Sequence, residues 1–122
     1  MPQQDTKVQL TLSWGKCSGN VWCGFNDVDL AHNVFSSGGV YVIWSQAETV
    51  YVGQAEELRE RLADHRKDAR IQQFRSLNLK VTWAEVASSQ RDSVERYLSD
   101  VLNPLVGERT PTATPIVVNL PS

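Results

Sequence analysis

Gly39-Val40-Tyr41-Val42-Ile43-Trp44, then Ser45-Gln46-Ala47-Glu48, then Thr49-Val50-Tyr51-Val52-Gly53 is the stretch that decides the fold. Its two apolar runs are built from β-branched and aromatic residues, which fit a pleated surface. The polar gap between them is long enough for a tight reversal, so the stretch reads as an antiparallel hairpin. A hairpin symmetric about Gln46 sets Tyr41 directly opposite Tyr51. Because side chains alternate, Tyr41, Ile43, Thr49 and Tyr51 then share one face, and Val40, Val42, Trp44, Val50 and Val52 fill the other.

Outward from the hairpin the pattern becomes helical. Residues 55 to about 69 place Ala55, Leu58 and Leu62 on one stripe, with Glu56 and Glu57 early and Arg66 and Lys67 late, as the helix dipole favours. A shorter helix follows over Ile71 to Leu77, and 79–86 alternates as a third strand. The last helix runs from about Gln90 to Leu102, opened by Ser88 or Ser89, lined by Val94, Leu98, Val101 and Leu102, and stopped by Asn103-Pro104. On the N-terminal side, residues 1–6 read as a disordered lead-in. Val8, Leu10 and Leu12 alternate as a strand, 15–26 form a turn-rich loop, and Asp27 or Asp29 caps one or two turns reaching Phe35. Ile116-Val117-Val118 is an edge strand or a cover for the core.

The fold class is therefore α+β, an α/β sandwich whose small, mainly antiparallel central sheet begins with the hairpin and is flanked by helices. At 122 residues the chain is one compact domain. Within it, 1–37 are an N-terminal extension packed on the core, 38–107 the central module and 108–122 an extended tail.

The formal charge of −2 argues against strong nonspecific nucleic-acid binding. Yet seven of the twelve bases fall within 59–80, among them Arg59, Arg66, Lys67 and Arg70, against three acids there. That strip can meet phosphates or form a solvated, ion-paired face. Cys17 and Cys23 are too few for a disulfide scaffold and lack the common zinc spacing, so buried or idle thiols are expected. No secretory leader or membrane span is recognisable, which leads to the expectation of a cytoplasmic protein without a membrane partner.

Arg61 and His65 lie one turn apart beside Leu58 and Leu62, facing the hairpin, and Glu95 borders the buried stripe of the last helix. Two phenols, a guanidinium, an imidazole and a carboxylate thus meet around one concavity, a set suited to phosphate and a divalent ion. Taken singly, each has a plain structural explanation. The tyrosines can be a cross-strand aromatic pair, Arg61 can pair with Glu57 and Glu95 with Arg91, and His65 can be a satisfied imidazole.

As an ordered set, these residues resemble the GIY-YIG nuclease superfamily. Gly39-Val40-Tyr41 is similar to its first motif and Tyr51-Val52-Gly53 to its second. Arg61 resembles the catalytic arginine, His65 a histidine of many members, and Glu95 the metal-binding glutamate. Gly107 stands where many members carry asparagine, and Gln54 where some carry lysine. The resemblance implies a metal-dependent endonuclease, with DNA rather than RNA as substrate. Tyr41 or Tyr51 would activate water, Arg61 would stabilise the phosphate, His65 would assist, and Glu95 would hold Mg²⁺ or Mn²⁺. The alternatives are a non-catalytic nucleic-acid- or protein-binding module on the same fold, and control through Cys17 and Cys23 by metal or redox state. A protein partner or homodimer is compatible with either activity.

Overall fold

The computed structural model describes residues 7–46, 48–107 and 110–122. The lead-in expected over 1–6 lies outside them, as does Ala47 in the hairpin turn. Four strands form one antiparallel sheet: β1 (Cys23–Gly24), β2 (Gly39–Ser45), β3 (Glu48–Ala55) and β4 (Lys80–Glu85), in the order β1-β4-β2-β3. Three α-helices accompany it: α1 (Leu58–His65), α2 (Ala69–Gln72) and α3 (Arg91–Leu102). Each face of the sheet carries a core. Tyr41, Ile43, Val50, Tyr51 and Val81 pack with Leu58 and Leu62 of α1, whereas Val40, Val42, Val52 and Ala84 pack with Val94 and Leu98 of α3. Each buried valine, leucine or isoleucine among them contributes about 1.5–3 kcal/mol by leaving water.

The hairpin forms, but its register differs from the symmetric one. Tyr41 pairs with Gly53 and Ile43 with Tyr51, and then Trp44 pairs with Thr49. Val50 is the extra residue of a bulge, which reverses the alternation from that point. Val50 therefore packs with the tyrosines, and Thr49, opposite Trp44, moves to the other face. The two phenols are diagonal neighbours on one face rather than directly opposed. Carbonyls at the bulge accept from the segment after α3, with Leu105 N–H reaching Thr49 at 3.0 Å and Val106 N–H reaching Val50 at 2.8 Å.

Gly39 is required by close approach, because a Cβ there would strike the carbonyl of Ala84 on β4. Asn103, with φ 51°, ends α3 in the left-handed region, and Pro104 follows. The first and last helices are shorter than their periodicity suggests. Ala55 belongs to β3, and 88–90 form a 3₁₀ turn ahead of α3.

The terminal segments differ more. Val8 to Leu12 make one bridge, Leu10 to Val118, instead of a strand. Asn119 holds the termini together, accepting from Leu12 N–H at 2.6 Å and donating to Leu12 O at 2.9 Å. Within the expected loop 15–26, Cys23 pairs with Val81 and adds a fourth strand. The expectation of buried or idle thiols is overturned: Cys17 and Cys23 form a disulfide with Cα atoms 5.2 Å apart. The bridge between Cys17 and Val21 folds the intervening residues back on themselves, which no spacing rule reveals. Among the described residues, no helix is long and apolar enough to cross a membrane.

Candidate active site

The bulge and the short turn into α1 position the site. Tyr41 and Tyr51 present parallel rings, 8° apart in plane and 6.1 Å between centroids. His65, in the last turn of α1, packs 4.4 Å from the Tyr51 ring, and its Nε2 lies 2.6 Å from the Tyr41 hydroxyl. All three are buried. Burial, and next the neighbouring Tyr51, push the Tyr41 pKa above the ordinary phenol value, although the charge and hydrogen bond of Arg61 pull it down. Tyr41 thus keeps its proton. Its oxygen is hydrogen-bonded by the Arg61 guanidinium and shares a hydrogen bond with Nε2 of His65.

Gly53 is the second glycine whose lack of a side chain matters. A Cβ there would meet the Tyr41 hydroxyl, lie 2.7 Å from Tyr41 Cζ and lie 2.9 Å from Tyr51 Cε1. The motif glycine therefore makes room for both rings.

Above them opens a cleft of about 600 Å³, bordered by Tyr51, Gly53, Gln54, Arg61, Asp92 and Glu95 and walled by 110–113 of the tail. Tyr41 lies beneath this surface, opposite Gly53. The tail is tied across α3 by Arg96 Nη1 donating to Pro111 O at 3.2 Å and Ile116 N–H donating to Ser93 O at 3.1 Å. A smaller, more apolar cavity beside Trp22 and Trp44 is separate from this chemistry.

Two further participants are Asp92, which the sequence pattern does not single out, and Gln54, which it marks only as standing where some members of the superfamily carry lysine. Asp92 stands one turn before Glu95, and the amide nitrogen of Gln54 donates to both, at 2.6 Å to Asp92 Oδ1 and 2.9 Å to Glu95 Oε1. Helical i, i+3 spacing is the available signal for Asp92. A hydrogen-bond donor held between two carboxylates marks where positive charge is favoured, and hard oxygen ligands suit Mg²⁺ or Mn²⁺. Magnesium is commonly held by one or two carboxylates with water completing its shell, so these residues fit such an ion. Among the described residues, no cluster of three His, Cys, Asp or Glu offers a closed cage.

The basic strip is placed differently from Arg61. Arg59 donates to the carbonyls of Leu30, Ala31 and His32, and Arg66 to those of Phe25 and Val28. Arg70 binds Asp68 at 2.7 Å and holds that carboxyl below its usual pKa range. Their guanidinium donors are engaged in anchoring the 25–32 loop and the start of α2, while Lys67 is exposed. Arg61 is the one basic side chain among the described residues bordering the cleft.

The family model for the GIY-YIG catalytic domain matches residues 37–108, more than half of the chain. No curated protein and no solved structure gives a significant match.

Proposed function

The chain belongs to the GIY-YIG family, and from that premise we propose that it is a metal-dependent endonuclease acting on DNA. Family membership carries nuclease-type cleavage of nucleic acid; the choice of substrate and ion and the role of each residue are our own reading. The observation that supports it most is the convergence of Tyr51, Arg61 and Glu95, from β3, α1 and α3, on one open cleft.

Arg61 would bind a phosphoryl oxygen and stabilise the charge that develops on it, a contribution of about 10² to 10³ in rate for a single preorganised donor. Glu95, supported by Asp92, would hold Mg²⁺ or Mn²⁺. When bound, the ion would supply Lewis-acid stabilisation of the oxygen charge. We assign the proton of the attacking water to Tyr51, acting as its phenolate and becoming the phenol, because it borders the cleft while Tyr41 is sealed beneath it with its proton retained. General-base help contributes roughly 10² to 10⁴. Tyr41 and His65 act as positioning residues: their hydrogen bond fixes the floor on which the Tyr51 ring rests.

The charge of the cleft bears on the alternative of a non-catalytic binding module. Asp92 and Glu95 face one arginine there, so phosphate is repelled until a cation neutralises the carboxylates. Recognition through this cleft therefore requires the ion that cleavage requires. The test is incubation of the full chain with plasmid, branched and single-stranded DNA in Mg²⁺ or Mn²⁺, beside Arg61→Ala and Glu95→Gln. Cleavage by wild type alone supports the proposal. Metal-independent binding without cleavage supports the binding module instead.

A further inference from the structure

The two cysteines, their neighbours and two of the four tryptophans take no part in the chemistry above. Cys17 and Cys23 pack with the core on one face of the sheet, while the two indoles, of Trp22 and Trp44, meet at its turn end on the opposite face, the one covered by α3. There a cavity of about 250 Å³ is lined by Trp22, Val42, Trp44, Gln46, Leu102 and Leu120. The indoles of Trp22 and Trp44 stand edge to face, 5.2 Å between centroids and 89° between planes. Lys16 places its ammonium 4.4 Å from the Trp22 ring centre. Lys80 is the β4 partner of Trp44 and so lies on the same face. Glu48 is the one acidic side chain among the described residues bordering the cavity.

We propose that this cavity is a subsite for an unpaired nucleobase of the strand whose phosphate occupies the cleft. The proposal rests on the nuclease reading and extends it to the substrate, which would be single-stranded or locally unpaired at this point. Three observations carry it. First, two half-buried indoles border the cavity, and base–aromatic stacking is the sequence-tolerant way to hold an unpaired base. Second, the two lysines supply the positive charge that the cleft lacks, where the backbone of such a strand would pass. Third, Glu95 at the cleft and Leu102 at the cavity lie on the same helix, seven residues and so about 10 Å apart along its axis. A purely apolar ligand would have no use for the flanking ammonium groups.

The disulfide has a role in this arrangement. Lys16 precedes Cys17 and Trp22 precedes Cys23, so the crosslink, with Cys17 N–H donating to Val21 O at 2.8 Å, holds cation and ring against each other.

The test uses the full chain with Ca²⁺ in place of Mg²⁺ or Mn²⁺, a larger ion that neutralises the carboxylates with looser geometry, checks that the strands stay intact, and titrates a short labelled oligothymidylate against an abasic strand of equal length and charge. Wild type is expected to bind the base-containing strand at least about fivefold more tightly than the abasic one, with quenching of indole fluorescence. Trp22→Ala removes that preference and Trp22→Phe largely restores it, which a merely misfolded variant would not do. Equal affinity for the two strands in wild type overturns the subsite. So does Trp22-dependent binding of the apolar dye ANS that oligothymidylate fails to displace. If no DNA is cut in Mg²⁺ while the base preference persists, the nuclease reading falls and the subsite stands. If Arg61-dependent cutting occurs without any base preference, the subsite falls and the nuclease reading stands.

Discussion

Gly53→Ala tests the geometry of the site without replacing any side chain assigned a chemical role. The added methyl would lie 2.7 Å from Tyr41 Cζ and 2.9 Å from Tyr51 Cε1. Bringing the first contact out to 3.4 Å moves the ring about 0.7 Å. Tyr41 has nowhere to retreat, being fully buried beneath α1 and hydrogen-bonded to His65 at 2.6 Å. Overpacking of this kind costs about 1–3 kcal/mol. Loss of the buried hydrogen bond adds about 1 kcal/mol. For a chain of this size each kcal/mol lowers Tm by roughly 3–5 °C, so the expected loss is about 6–20 °C, read by circular dichroism. A displacement approaching 1 Å also lowers a rate that depends on alignment by up to about 10²-fold, read by single-turnover cleavage below the variant's Tm. A Gly53→Ala protein with wild-type Tm and rate would refute the reasoning. A lowered Tm with a wild-type rate would show that ring position is structural only.

Other outcomes follow from the same contacts. Tyr41 holds its proton more tightly when folded than when unfolded, where it titrates near pH 10. Its contribution to stability is therefore complete below about pH 10 and is lost as pH rises beyond it; chemical denaturation from pH 8 to 11 should show a steeper decline for wild type than for Tyr41→Phe. Cys17→Ser with Cys23→Ser opens a short loop and should cost about 2 kcal/mol, while thiol titration of unreduced wild type should find no free cysteine. Asp92→Asn should raise the metal concentration needed for cleavage and leave Tm within a few degrees, because Asp92 is exposed and meets Gln54 at the surface.

Much of the site was legible because it rests on short-range regularities. Strand alternation placed Tyr41 and Tyr51 on one face, and helical spacing set Arg61 beside His65 and Glu95 at the edge of its stripe. The resemblance to the GIY-YIG superfamily tied these into one order. The register was less accessible: a one-residue bulge at Val50 leaves the tyrosine run intact but exchanges the faces of Thr49 and Val50. The strap formed by 110–113 and the link from Cys17 to Cys23 depend on where chain ends and loops return in space. Composition around 59–80 shows charge but not its engagement, and Arg59 and Arg66 direct their donors to carbonyls of 25–32.

The most direct measurement is the single-turnover rate of DNA cleavage as a function of Mg²⁺ or Mn²⁺ for wild type, Arg61→Ala and Glu95→Gln. A phosphate-binding arginine and a metal-binding glutamate predict different curves. Arg61→Ala should saturate at the wild-type metal concentration with a plateau lower by about 10²-fold or more, and Glu95→Gln should shift its midpoint to higher metal. Three superimposable curves, or cleavage that persists in EDTA, would contradict the account.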